Sequence, residues 1–188
     1  MGTLLEQYTH ALTGFDERVR KIADDQWSLP TPCAEWDVRA LVAHLVVEHC
    51  WAPYLLAGGT VEHGRQRFSG DPLGDAPKDA WRRASTQALA AFSSPGALER
   101  HVQVSAGDLS ARDYLWQMTV DLAIHAWDLA RAIGADEQLD TELVRRIWSE
   151  AQKNLDDMAA SGLFGKPVVV PANAAQQTRT LALFGRRS

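Results

Sequence analysis

The stretch VDLAIHAWDLA, residues 120–130, sets Asp121, His125 and Asp128 into an otherwise apolar run. Ionisable groups in such surroundings are costly unless they are paired or hold a metal. Asp121 and His125 are four apart, so on a helix they share one face, and Asp128 continues the stripe three residues on. A carboxylate and an imidazole spaced this way can grip one cation, with a further ligand supplied from elsewhere. His44, in LVAHLVV, is the candidate, because its apolar neighbours turn an imidazole there to the interior. His44, Asp121 and His125 together form an N2O donor set. Zinc is the first expectation, with nickel, manganese and iron also accepting imidazole with carboxylate. Three protein ligands leave a position open for water or substrate, the pattern of a catalytic rather than a structural metal.

Each residue has a plainer alternative. Asp121 could pair with Arg112 or Arg131, Asp128 with Arg131, and His44 could be a hydrogen-bonded core histidine. The run HLVVEH (44–49) is close to metalloprotease spacing. Five residues turn a helix by about 500°, however, which leaves His44 and His49 roughly 140° out of line, so that reading is rejected. Glu48, four after His44, stays a reserve ligand. Asp128 could orient His125 from behind. Trp36, Trp51 and Trp127 are candidate pocket walls, with core packing the alternative. His10, His49, His63 and His101 read as surface or structural, and Arg179 as a surface arginine. Cys33 and Cys50 lack metal spacing, and the sequence places no histidine beside either.

The elements that would position these groups are mostly helical. Thr3-x-x-Glu6 is a capping box opening a helix over 3–24. SLPTPCAEWD (28–37) ends in Asp37, an N-cap for a second helix that stops at Gly58-Gly59. Pro53 predicts a kink or break within it. Residues 58–77 read as a long irregular connection. A third helix is expected over 78–93, and HVQVSAG (101–107) as a short strand or extended crossover. Ser110-x-x-Asp113 opens a helix over 111–133 closed by Gly134, and Asp140 caps another from 141 to about 160. A short helix near 173–184 ends the chain. This is an all-α pattern with long connections, suiting a four-helix bundle whose ligand sites form between facing helices.

The 188 residues, 46% hydrophobic and 23% charged, suit a single domain over 1–188, with 161–188 a C-terminal extension packed on it. A net charge of −5 without a lysine/arginine block argues against nucleic-acid binding. With two cysteines, no leader-like start and no long apolar run, the expectation is a cytoplasmic, membrane-free protein.

PTPCAEWDVRALVAHLV (30–46), DLAIHAWDLARAIG (121–134) and LFGKPVVVPANAAQQTRTLALFGR (163–186) resemble the actinobacterial branch of the DinB-like superfamily. That branch is related to the N-terminal metal-binding domain of mycothiol-dependent maleylpyruvate isomerase. The resemblance implies up-down-down-up threading and a divalent metal on residues matching His44, Asp121 and His125, with aspartate here where the isomerase has glutamate. It further implies thiol-dependent transferase or isomerase chemistry on a small electrophile, with mycothiol or a similar low-molecular-weight thiol as cofactor. The isomerase has a further C-terminal domain, so its own reaction does not carry over. A non-catalytic metal-binding or stress-related protein, and a metal-dependent hydrolase, remain alternatives; a homodimer is left open.

Overall fold

The computed structural model describes residues 2–34, 36–105, 107–153 and 165–187. Its described elements are α1 (Leu4–Lys21), α2 (Val38–Leu56), α3 (Val61–Arg67), α4 (Pro77–Phe92), a hairpin of β1 (His101–Val104) and β2 (Gly107–Ser110), α5 (Ala111–Ile133), α6 (Thr141–Lys153) and α7 (Gln176–Leu183). The fold is all-α apart from that hairpin. Residues 2–136 form one compact unit and 137–188 another.

In the first unit α1 packs chiefly on α5 and α2 chiefly on α4, while α1–α4 and α2–α5 contacts close a ring of four. Helices consecutive around the loops, α1 with α2 and α4 with α5, are therefore diagonal rather than adjacent, which is why their connections are long. The centre is filled by Tyr8 and Phe15 of α1, Leu41 and Leu45 of α2, Trp81 and Phe92 of α4, and Leu115, Leu122 and Ile124 of α5, all essentially inaccessible. α5 is buried around almost its whole circumference from Met118 to Ala130, so the polar groups it carries face protein.

Local chemistry sets the helix ends. Thr3 and Glu6 make the reciprocal capping box, at 2.6 and 3.2 Å. Asp37 accepts from the Ala40 N–H at 2.8 Å, and Gly134 closes α5 at φ 68°. α1 ends at Lys21, three residues early, because Ile22 turns to extended backbone. Pro53 does not break α2: it stands in the last turn, and the helix continues to Leu56.

The expected irregular connection at 58–77 contains α3. Thr60 caps it, and Gly64 lets it approach Trp51, whose ring would overlap a Cβ at that position. Its short length and glycine flanks hid it from periodicity. HVQV is a true strand, paired antiparallel with β2 from His101↔Ser110 to Val104↔Gly107. In the second unit α6 is described to Lys153, and the rest of the helix expected to 160 lies outside the described residues. α7 packs on α6 there, with the Arg179 guanidinium 4.4 Å from the Trp148 ring centre. Arg179 is thus stacked, not simply solvated. No helix among the described residues is long and apolar enough to cross a membrane.

Candidate metal centre

α2 and α5 meet with His44 facing Asp121. His44 Nε2 lies 3.0 Å from Asp121 Oδ2, and His125 Nε2 lies 3.3 Å from Asp121 Oδ1. One carboxylate thus addresses two imidazoles from two helices, one with each oxygen. The three potential ligand atoms all lie within 4.8 Å of one another. The shorter aspartate reaches both rings, because residues four apart stack on α5 and α2 brings His44 alongside.

The electrostatics follow from this packing. Burial works against an ionised Asp121, yet the two imidazoles outweigh it and hold the carboxyl well below the usual carboxylate range. Burial likewise opposes a charged His125, but Asp121 and Asp128 outweigh it and raise the ring to about 9. His125 is therefore protonated at neutral pH in the metal-free protein, donating from Nε2 to Asp121 and from Nδ1 to Asp128 Oδ2, 2.9 Å away. Asp128 is inaccessible to solvent and fixes the ring from behind. His44 and Asp121 are partly exposed, at 27% and 21%, so the centre opens toward solvent on their side.

The turn from Pro30 to Asp37 covers the pair of imidazoles. Thr31 closes it: its N–H and hydroxyl both donate to the Trp36 carbonyl, and its Oγ1 accepts from the Cys33 N–H. This sets the Trp36 ring 4.8 Å from His44 and 5.6 Å from His125, centre to centre. It also brings Cys33 into a cluster with His125 and Asp128, their ligand atoms again within 4.8 Å. The sequence places no histidine beside Cys33; the fold brings His125 there. The two residues are far apart in sequence, and only the fold of the turn joins them.

The other candidates separate. Trp51 packs edge-on to Tyr54 and tilted against Phe68, with ring centres 5.8 and 4.6 Å apart, between α2 and α3. Trp127 is fully buried beneath the Arg131 guanidinium, 4.6 Å from its ring centre. Glu48 lies within electrostatic reach of the centre: burial raises its carboxyl, Asp121 adds to this, and His44 opposes it. His10, His63 and His101 are exposed, whereas His49 is a core residue held neutral. Burial lowers His49 to about 4, and its Nδ1–H donates to the Leu45 carbonyl at 2.7 Å.

Sequence reasoning missed the polar groups beneath the centre. Tyr8, Tyr114 and His49 each bury a polar atom with no hydrogen-bond partner among the described residues. Burial raises both Tyr8 and Tyr114 well above the ordinary tyrosine range, so both hydroxyls keep their protons. Their signal was available only as polar tips on apolar helix faces, which tyrosine commonly shows in cores. A cavity of about 370 Å³, lined by residues including Glu62, Arg65 and Gln103, shares no residue with the centre.

Residues 8–130 match the model of the mycothiol maleylpyruvate isomerase N-terminal domain, a span that holds every residue of the centre. The chain belongs to that family. An uncharacterized protein of Mycobacterium tuberculosis, found in two strains, is 29% identical over 144 residues, covering 74% of this chain and 72% of its own. Among solved structures, the crystal structure of the mycothiol-dependent maleylpyruvate isomerase superposes with a TM-score of 0.62 at 18% identity, covering 79% of this chain and 69% of that one. A histidine-to-alanine mutant of the same enzyme superposes at 0.60 with 16% identity and the same coverage. At such identity the superposition establishes a shared fold.

Proposed function

We propose that this family member binds one divalent cation through His44, Asp121 and His125 and uses it in thiol-dependent transfer or isomerisation of a small electrophile, with mycothiol or a similar thiol as cosubstrate. The observation that carries the reading is the single carboxylate set between two imidazoles from different helices, with a partly exposed side. The donor set suits a borderline cation, zinc first, and nickel, manganese or iron by the same chemistry. When bound, such a cation favours the deprotonated form of a thiol or water beside it.

The chain's own residues have separate tasks. Asp128 holds the His125 ring in one orientation through Nδ1, the support that metal-binding histidines commonly have. Asp121, already ionised, needs no deprotonation to serve as a ligand. Trp36 lays a flat apolar surface over both imidazoles, restricting water and offering a wall to the carbon skeleton of a thiol or electrophile. Glu48, raised by burial, is a nearby group that can hold a proton.

The test combines protein loaded with zinc or nickel, mycothiol and a panel of small electrophiles, with free thiol followed over time. Thiol loss that requires the cation and disappears in His44→Ala is the expected result. Loaded protein that neither binds mycothiol nor consumes it with any electrophile would overturn the transferase reading and leave a cation-binding protein without turnover.

A further inference from the structure

His125 presents two nitrogens to two different sets of groups. Nε2 faces Asp121, with His44 beyond it, while Nδ1 faces Asp128 at 2.9 Å. Cys33 joins the pair of His125 and Asp128, its sulfur within 4.8 Å of a ligand atom of each. Cys33 comes from the Thr31-closed turn and is half-exposed, whereas His125 and Asp128 are buried. A soft thiolate, an imidazole and a carboxylate thus converge, with the cysteine on the more accessible side.

We propose that Cys33, His125 and Asp128 form a second cation site, selective for thiophilic ions, that overlaps the centre of His44, Asp121 and His125 and competes with it. This rests on the reading of that first centre only in sharing His125. Thiolate shifts a site's preference toward soft ions, so the Cys33 site favours cadmium, while the N2O site takes borderline and harder ions such as zinc and manganese. A neutral imidazole offers one lone pair and keeps one N–H, so it ligates through one nitrogen at a time. With a cation on Nδ1, the Nε2–H remains on the Asp121 side; with a cation on Nε2, the Nδ1–H remains on Asp128. Binding at the Cys33 site releases the thiol proton and any proton carried on Nδ1 to solvent. One ring therefore selects between two ion classes without a change of fold.

Cadmium and cobalt(II) alone serve as probes, titrated into the metal-free full chain and followed by sulfur-to-metal charge-transfer absorption and bound stoichiometry. In the wild type a thiolate band is expected to grow in and saturate near one ion per chain, and excess manganese should displace cobalt more readily in Cys33→Ser than in the wild type. Cys33→Ser should lose the band and lower cadmium affinity by more than the roughly 10–100-fold that losing an outer-shell contact costs. His44→Ala should keep the band, because His44 belongs to the other site alone. Ion binding without a thiolate band overturns this proposal and leaves the His44 centre standing. A thiolate band of full intensity, with no binding in Cys33→Ser, overturns the His44 centre and leaves the Cys33 site. No binding of either ion overturns both.

Discussion

A proton and a cation cannot share Nε2 of His125, and this fixes how metal affinity should move with pH. Burial disfavours the charged ring, but Asp121 and Asp128 prevail and raise it to about 9. Relative to an unfolded value near 6.5, the shift corresponds to roughly 3 kcal/mol held in the metal-free fold. Because the folded value is the higher one, that contribution is complete below about pH 6.5 and is lost as pH rises through about 9. Cation binding runs the opposite way, since the ring must give up its proton first. At neutral pH the ring sits about two units below its raised value, so apparent affinity should be about a hundredfold under its plateau. Calorimetric titration with zinc or nickel from about pH 6.5 to 8.5, in two buffers of different ionisation enthalpy, reads both terms. His125 should contribute about a tenfold rise in affinity per pH unit and release of close to one proton. Urea unfolding of the metal-free protein should show stability falling over the upper part of the same range. Affinity that stays flat with pH, with no proton released, would refute the reasoning.

Two further substitutions probe the supports of the centre. Asp128→Ala leaves a charged His125 in the core without its rear partner; a loss of about 3–5 kcal/mol is expected in urea unfolding at neutral pH, larger than for the chemically closer Asp128→Asn. Gly64→Ala pushes a methyl into the Trp51 ring and should cost about 1–3 kcal/mol, read by denaturant melting with tryptophan fluorescence. An unchanged midpoint would mean that α3 does not dock on Trp51.

What was legible in the sequence was mostly local. Asp121 and His125 could be paired on paper because four residues on a helix bring side chains together regardless of tertiary context. His44 could be added because an imidazole flanked by Leu45, Val46, Val42 and Leu41 has an apolar face on which to turn inward. Capping by Thr3, Asp37 and Asp140 was equally readable, each being satisfied within three residues. Cys33 was not, since its approach to His125 depends on how the Thr31–Trp36 turn lies across α5. α3 escaped for a related reason: it is too short to show periodicity, and Gly64 lies against Trp51, a contact that only the fold reveals. Trp51 and Trp127 show the limit of composition, for one fills a helix corner and the other lies under an arginine, while Trp36, of the three candidates, lies against His44 and His125.

Anomalous diffraction from crystals of protein loaded with a single divalent cation tests the central claim most directly. The account predicts one peak at about 2.0–2.2 Å from Nε2 of His44, Nε2 of His125 and a carboxylate oxygen of Asp121. A peak that touches neither His44 nor Asp121, or no peak in protein shown by elemental analysis to be metal-free after loading, would contradict it.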